Sequence, residues 1–382
     1  MVPTDVPAPA AGGAKTTNGV LIAAGGTGGH LFPAEALAAA LARRGVAVAL
    51  ATDSRAARHA GKFPAGSVHV IPSATVRGKN PFSLARSGIV LACGLLKAYF
   101  KLPRLRPAVV VGFGGYPTVP PLLAATVRNI PTVIHEQNAV MGRANRMLAR
   151  RVRAIATGFA GILNQEPALA AKATHTGNPV RPAVIEAART PYPPLDATGT
   201  VQLLVFGGSQ GARVMADVVP PAVERLEPQL RKRLKIVQQA REEDLARVRE
   251  SYDRLKVAAE VAPFFSDLPA RMASSHLVVS RSGASTVAEL SAIGRPAILV
   301  PLPHALDQDQ RANAGVLMER GGAIRLDQAE FTPDRLAAEI AALAAEPGRL
   351  AQMAAVAKAA GSIDAADRLA DLVLRVGGIA KS

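Results

Sequence analysis

Short apolar runs alternate with longer helical patterns along most of the chain. In the first half they predict strands at Val20–Ala24, Val46–Ala51, Val68–Ile71, Ala108–Val111 and Thr132–His135, with helices at Ala34–Arg44 and Leu84–Phe100. The second half repeats the alternation, with predicted strands at Val201–Phe206, Lys235–Gln238, Leu277–Ser280 and Ala297–Val300. Apolar strands separated by helices are typical of parallel sheets covered on both faces.

The segment Glu186–Thr200 interrupts this pattern. It carries three prolines and no periodicity, which predicts a linker. Residues 1–18 are rich in Pro, Ala, Gly and Thr and lack an apolar core, so we expect a disordered extension rather than a signal peptide. The prediction is an α/β chain with two doubly wound domains, at residues 19–185 and 201–382, facing across a cleft. Ligands should bind at the carboxyl ends of the strands, and the last helix should pack back on the N-terminal domain.

The positive charge of the chain is confined to its first half. Residues 1–185 contain 21 Lys and Arg against 5 Asp and Glu, whereas residues 186–382 contain 24 of each, so the first half carries the whole formal charge of +16. Such a field attracts nucleic acid, acidic lipid or a polyphosphate. The single cysteine, Cys93, excludes an internal disulfide and fits a reducing cytoplasm. The longest apolar run, Gly88–Leu96, is shorter than the roughly 20 residues of a spanning helix.

Glycine-rich loops follow four predicted strands, at Gly25–His30, Gly112–Tyr116, Gly207–Ala212 and Ser280–Ser285. Glycine lets the backbone approach a ligand closely, and the following helix directs its positive end at the loop. The first loop, GGTGGH, lacks the Lys of the Walker pattern, and Leu31 occupies the third glycine position of the Rossmann pattern. One such loop is equally consistent with a tight turn, but four at strand ends predict a binding cleft.

Three polar features beside these loops are candidates for chemistry. His30 could remove a proton from a hydroxyl, or could cap a helix or bind phosphate. Glu289, about one and a half turns into a predicted helix, could hold both ribose hydroxyls or could be solvated. The run His135–Asn138 suits sugar hydroxyls or a pyrophosphate, and a capped helix start at Asn138 is the alternative.

Two further segments suggest partners. Asp307 and Asp309 form an Asp-x-Asp pair that stands without other ligands, so we expect no metal and no cofactor, and hydrogen bonds from Asp309 and Gln310 to a sugar. The stretch Arg77–Arg106 combines large apolar residues with seven Lys or Arg and no acid. It is consistent with a buried helix that has basic flanks, but we favour contact with an anionic bilayer.

Six short motifs occur in a fixed order: GGTGGH, GFGGYP, HEQN, GNPVRP, GGSQGA and RSGASTVAEL. Together they resemble the MurG family, the bacterial N-acetylglucosaminyltransferases of peptidoglycan synthesis, from about Val20 to the C-terminus. The resemblance implies the GT-B fold and inverting transfer of GlcNAc from UDP-GlcNAc to the C4 hydroxyl of MurNAc in undecaprenyl-pyrophosphoryl-MurNAc-pentapeptide, without an active-site metal. It also implies a peripheral position on the cytoplasmic face of the inner membrane, where cell-wall synthesis proteins are possible partners.

Residue by residue, the resemblance implies specific roles. His30 corresponds to the proposed general base, Ser209 to a ligand of the donor phosphate, Phe265 to a backbone contact with uracil, and Gln310 to a contact with the GlcNAc hydroxyls. The other implied donor contacts are Thr27, Gly28, Gly29, Asn138, Arg181, Ala284, Ser285, Thr286, Val287, Ala288 and Glu289. The acceptor or membrane candidates are Lys79, Phe82, Ile89, Phe100, Gly114, Gly115 and Tyr116. The family usually has Ile or another apolar residue at the Phe265 position, and the segment HALDQDQRANA departs from its commoner patterns.

Three alternative classes fit parts of this pattern. A nucleic-acid-binding protein would explain the charge, but aromatic residues make up only 4% of the chain and no binding-module motif is present. A UDP-GlcNAc epimerase would share the fold and the donor half without needing the basic apolar stretch. Another UDP-sugar-dependent lipid glycosyltransferase is the nearest alternative. We therefore expect UDP-GlcNAc, a lipid-linked acceptor and an anionic membrane surface as partners, and no nucleic acid.

Overall fold

The computed structural model describes residues 19–25, 28–57, 63–74, 80–196, 198–208, 211–303 and 308–380. Strands in the first half of these residues form a seven-stranded parallel sheet in the order β3-β2-β1-β4-β5-β6-β7. Their bounds are β1 Val20–Ala23, β2 Val48–Thr52, β3 Ser67–Val70, β4 Val109–Gly112, β5 Thr132–Glu136, β6 Ala154–Thr157 and β7 Ala173–His175.

A second parallel sheet has six strands in the order β10-β9-β8-β11-β12-β13. Its strands are β8 Val201–Phe206, β9 Leu234–Gln239, β10 Ala258–Ala262, β11 Leu277–Ser280, β12 Ala297–Leu299 and β13 Ala323–Arg325. In both sheets the first strand lies inside the sheet, with later strands added on each side of it. The predicted α/β fold with two doubly wound parallel sheets is confirmed.

Helices cover both sheets. Those of the first half are α1 Gly28–Arg43, α2 Ser54–Ala57, α3 Pro81–Leu105, α4 Val119–Val127, α5 Arg143–Ala149, α6 Pro167–Ala170 and α7 Pro182–Ala187. Those of the second half are α8 Arg213–Arg225, α9 Pro228–Arg233, α10 Leu245–Leu255, α11 Leu268–Ser274, α12 Ala284–Ile293, α13 Asp309–Met318, α14 Pro333–Ala345, α15 Pro347–Ala360 and α16 Ala365–Gly377. Short 3-10 turns occupy Tyr116–Thr118 and Glu242–Asp244.

The last helix, α16, packs against the first sheet rather than the second. Its buried residues Leu369, Val373 and Leu374 share one apolar core with Ile22 of β1 and Val111 of β4. Ion pairs with two aspartates of α16 reinforce this packing. Arg43, the last residue of α1, pairs with Asp367, and Arg44, the next residue, pairs with Asp367 and Asp371. The end of the chain therefore ties the two halves together.

The strands that sequence patterning missed are mostly at sheet edges. β7, β10 and β13 are edge strands, and each mixes apolar with polar residues because one side of it has no neighbouring strand. Helix bounds also differ, since α1 begins at Gly28 rather than Ala34, and α7 extends through the first two residues of the predicted linker. No helix in the described part of the chain is long and apolar enough to cross a membrane.

Candidate active site

Two sets of hydrogen bonds join the carboxyl edges of the two sheets. Arg181, which directly precedes α7, donates from Nε and Nη2 to Oε1 of Glu289 on α12, at 3.2 and 2.9 Å. Asn313 on α13 accepts from the Ala139 N–H at 2.7 Å and donates to Oδ1 of Asn138 at 3.0 Å. The loops beyond the first sheet therefore face α12 and α13 across a cleft.

His30 lies in the first turn of α1, with its ring against the backbone of the GFGGYP loop. A Cβ on Gly114 would lie 3.5 Å from His30 Cε1, and one on Gly115 would lie 3.3 Å from Cδ2. Both glycines also have positive φ, 80° and 72°. Conformation and close approach therefore both favour glycine here, and the loop forms one wall around the imidazole.

The surroundings of His30 favour its neutral form. Burial lowers the pKa of His30 below its ordinary 6.5. The Gln137 side chain, the Phe113 backbone and the Asp309 carboxylate act in the opposite direction, because each stabilises the protonated ring. Nδ1 is buried and has no partner among the described residues. A neutral imidazole can accept a proton from a hydroxyl, and Asp309 on the opposite side of the cleft then stabilises the imidazolium.

Glu136 of the HEQN motif supports the loop after β5. Its side chain is buried, and its carboxylate accepts hydrogen bonds from the Asn138 N–H at 3.0 Å, the Gly142 N–H at 2.9 Å and Nδ2 of Asn145 at 2.8 Å. Burial raises the pKa of Glu136, and these hydrogen bonds oppose the rise. The carboxylate is therefore committed to the protein rather than to a ligand.

The neighbours of Glu136 are also used internally. His135 contacts the Gly177 carbonyl through Nε2 at 3.1 Å, and burial lowers its pKa to about 4. Gln137 donates to the Phe113 carbonyl at 2.9 Å. The prediction that all four side chains of this run suit a sugar or pyrophosphate is thus corrected: three hold the loop, and only Asn138 reaches the opposite half of the cleft.

Asn313 is the cleft residue that sequence reasoning missed. It is fully buried and, besides its bonds to the first half, donates to the Ser282 carbonyl at 3.2 Å. It lies three residues after Gln310 on α13, so the two share a helix face. The three-residue spacing from Gln310 is the one sequence signal that points to Asn313. Its hydrogen-bond partners, Asn138 and Ala139, lie far away in the sequence.

The start of α12 offers backbone donors to the cleft. The N–H groups of Ala284, Ser285 and Thr286 form no hydrogen bonds with other described residues, as is usual in a first helical turn. Val287 differs, because its side chain lies in the core and its N–H donates to the Gly283 carbonyl at 3.0 Å. The Val287 side chain therefore supports the helix, and the expected donor contact of this residue stays a prediction.

Two other predicted donor contacts lie in the second half of the chain, Gln310 on α13 and Phe265 after β10. Gln310 accepts from the Leu302 N–H through Oε1 at 3.1 Å, and its carbonyl accepts from Ser282 Oγ at 2.8 Å. Phe265 follows β10, and its backbone N–H and C=O make no hydrogen bond within the described residues. The Arg271 guanidinium lies over its ring, 4.4 Å from the centroid.

Several predicted residues fall outside what the structure describes: Thr27, Lys79, Ser209 and Asp307, and the side chain of Phe82. Gly28 and Gly29 open α1, and Tyr116 opens a 3-10 turn directly after Gly115. Ile89 and Phe100 are 64% and 68% exposed on α3. No group of three or more His, Cys, Asp or Glu within the described residues is placed to hold a metal ion.

Family models match both halves of the chain. The glycosyltransferase family 28 N-terminal domain matches residues 20–157, and the glycosyltransferase family 28 C-terminal domain matches residues 202–369. The first match ends with β6 of the first sheet, and the second begins in β8 of the second sheet.

Named relatives cover nearly the whole chain. A protein of Rhodopseudomonas palustris strain HaA2 is 63% identical over 360 residues, 94% of this chain and 98% of its own length. A protein of Bradyrhizobium diazoefficiens is 62% identical over 365 residues, which are 96% of this chain and 100% of its own length. Both are named UDP-N-acetylglucosamine–N-acetylmuramyl-(pentapeptide) pyrophosphoryl-undecaprenol N-acetylglucosamine transferase.

Solved structures share the architecture. The crystal structure of Acinetobacter baumannii MurG superposes with a TM-score of 0.77 at 28% identity, covering 94% of this chain and 99% of that one. A UDP-GlcNAc 2-epimerase from Neisseria meningitidis, bound to UDP-GlcNAc, superposes with a TM-score of 0.65 at 13% identity. The match covers 93% of this chain and 99% of the epimerase chain. At that identity the second likeness concerns the fold alone.

Proposed function

The chain belongs to glycosyltransferase family 28, and from this membership we propose that it transfers GlcNAc from UDP-GlcNAc to the C4 hydroxyl of MurNAc in undecaprenyl-pyrophosphoryl-MurNAc-pentapeptide. The observation that carries the proposal is near-full-length identity of 62–65% to relatives that bear the corresponding transferase name. The GT-B architecture and the cleft geometry agree with it.

The proposed chemistry is a direct displacement with inversion at the anomeric carbon. The acceptor hydroxyl forms the new C–O bond while His30 removes its proton, and the bond to the β-phosphate oxygen breaks with its electrons remaining on UDP. A lowered pKa keeps His30 unprotonated before the step, and Asp309 stabilises it afterwards. The Gly114–Gly115 backbone limits the positions that the ring can occupy.

The donor is proposed to bind along the carboxyl edge of the second sheet. The uracil would meet the backbone groups of Phe265, and the ribose hydroxyls would meet Glu289. The diphosphate would meet the N–H groups at the start of α12, which are unpaired among the described residues. Backbone donors fixed in a helix stabilise charge that develops on a leaving phosphate at little cost in reorganisation. Asn138 and Gln310 are proposed to orient the sugar.

We also propose that the enzyme binds peripherally to an anionic membrane through α3. On this helix, Leu96 and Phe100 lie seven and eleven residues after Ile89. The three residues are 57–68% exposed. Exposed Lys97 and Arg104 lie on the same helix. Exposed apolar side chains with adjacent cations favour insertion at an acidic lipid surface, where a lipid-linked acceptor would be located.

Transfer of label from UDP-GlcNAc to purified lipid acceptor tests the enzymatic proposal. The purified chain should move labelled GlcNAc into the lipid-extractable fraction. The epimerase alternative predicts conversion of UDP-GlcNAc to its 2-epimer in the absence of any acceptor. Formation of the epimer without labelled lipid would overturn the proposal.

A further inference from the structure

Arg241 lies between two loops that the proposed function assigns to the donor. The described glycines of the loop after β8, Gly207, Gly208 and Gly211, lie on one side of it, and the loop after β10 lies on the other. Gln239, the last residue of β9, joins these loops, since it accepts from the Gly207 N–H at 3.0 Å and donates to the Pro263 carbonyl at 3.1 Å. Arg241 follows two residues later, at the same edge of the sheet.

The Arg241 side chain packs directly on the glycine loop. A Cβ on Gly211 would lie 3.1 Å from Cγ of Arg241 and 3.8 Å from its Nε. Gly211 has φ of 66°, so its conformation and this contact both favour glycine. The packing holds the guanidinium against the loop.

The Arg241 guanidinium is incompletely paired. Its side chain is 40% exposed, but its Nε is buried and has no hydrogen-bond partner in the described structure. Its ion-pair partner, Glu243, lies 3.8 Å from Nη1 and is 65% exposed. By contrast, nearby Arg247 and Arg271 each pair with two carboxylates, at 2.6–2.8 Å. A buried N–H without an acceptor is costly, so the arrangement favours an anion that accepts from Arg241.

We propose that Arg241 binds the diphosphate of UDP-GlcNAc and stabilises UDP as it leaves. The inference rests on the proposed function, which brings a nucleoside diphosphate to this edge of the sheet. When the bond to the anomeric carbon breaks, its electron pair stays on the β-phosphate oxygen, the acceptor oxygen takes its place on carbon, and the proton goes to His30. A guanidinium matches phosphate in charge and geometry, and is always protonated.

The inference fills a gap in the assigned donor site. The residues assigned to the donor in the second half of the chain are Ser209, Phe265, Ala284–Glu289 and Gln310, and none of them is a cation. Helix N-termini supply only partial positive charge, equivalent to roughly half a unit. Arg241 would provide a full charge beside the leaving group.

Equilibrium binding of UDP and of uridine to the full chain tests this role. Replacing Arg241 by Gln should weaken UDP binding about tenfold or more, as expected for a charge-assisted hydrogen bond, and leave uridine affinity unchanged within about twofold. Arg241→Lys should lose less affinity for UDP than Arg241→Gln, because lysine keeps the positive charge. Arg254→Gln is the matched control, since it removes one charge from an α10 side chain that is 64% exposed. Equal losses for UDP and uridine, or no loss, would overturn the proposal.

Parallel transfer assays separate this inference from the proposed function. A wild-type chain that binds UDP through Arg241 but transfers no GlcNAc to the lipid acceptor contradicts the function alone. Normal transfer and normal UDP affinity in Arg241→Gln overturn the inference alone. If Arg241→Gln does not fold, Arg241→Met takes its place, because it keeps an unbranched side chain and removes the charge. A loss of affinity confined to UDP supports the role, and unchanged affinities oppose it.

Discussion

Arg181 and Glu289 form an ion pair across the cleft, with 2.9 Å between Nη2 and Oε1. The Glu289 side chain is 9% exposed and the Arg181 side chain 30%. Burial raises the pKa of Glu289, whereas the charge and hydrogen bonds of Arg181 lower it. Arg181 also lies over the Phe32 ring, 4.8 Å from its centroid, which positions it beside α1. Arg181, from one half of the cleft, thus opposes the rise in the pKa of Glu289, the carboxylate in the other half that we assign to the ribose.

Replacing Arg181 by Gln should weaken UDP binding most strongly at low pH. Without the guanidinium, the pKa of the buried Glu289 rises further, so the carboxylate takes up a proton at higher pH and loses an acceptor for the ribose. Calorimetry between about pH 8 and about pH 6 should show the Kd for UDP rising as pH falls, more than in wild type. Arg189→Gln removes an exposed pair with Glu186 and is the control. A loss that is equal at every pH would argue against this coupling.

Replacing His30 by Ala should lower kcat by roughly 10²–10⁴-fold and leave UDP affinity nearly intact. In wild type, the base acts when neutral, and its pKa lies below 6.5, so kcat should hold at neutral pH and fall only as pH drops through that lowered pKa. Steady-state assays across pH measure this acid limb. His69→Gln, on the distant edge strand β3, is the control and should retain turnover. Near-normal turnover in His30→Ala would rule out the base role.

Asn313→Ala should weaken the contact between the two halves of the chain. It removes the partner of the Ala139 N–H and of Asn138 Oδ1, and leaving a buried donor without an acceptor costs about 1–3 kcal/mol. We expect a lower free energy of unfolding in urea and a lower kcat/KM for UDP-GlcNAc, because Asn138 is no longer held. Asn164→Ala, at an exposed position, is the control. If kcat/KM stays unchanged while stability falls, Asn313 is structural only.

A triple variant in which serine replaces Ile89, Leu96 and Phe100 should sediment less with vesicles that contain anionic phospholipid. These side chains supply the exposed apolar surface of α3, whose loss removes insertion but leaves the basic charge. Wild-type binding should itself weaken at high salt, since the charges are screened. Ile363→Ser, which alters an apolar side chain 51% exposed elsewhere, should bind as wild type. If the triple variant sediments with the vesicles as much as wild type does, the membrane contact lies outside α3.

Local patterns predicted the strands and the glycine loops because each depends on consecutive residues. Mainly apolar runs such as Val201–Phe206 and Leu277–Ser280 form central strands. The roles of Glu136 and Asn313 could not be read in the same way, since hydrogen-bond partners decide them. Asn313 meets Asn138 from 175 residues away, and Arg181 meets Glu289 from 108. The HEQN run therefore resembled a ligand set, although most of it holds its own loop.

Incubation with UDP-[label]GlcNAc and the undecaprenyl-pyrophosphoryl-MurNAc-pentapeptide acceptor tests the central claim most directly, with the 4-deoxy-MurNAc acceptor as a matched control. The account predicts that label enters the natural lipid, with a β-linkage to C4, and does not enter the 4-deoxy lipid. Equal labelling of the two lipids, or labelling of neither by the folded protein, would contradict it.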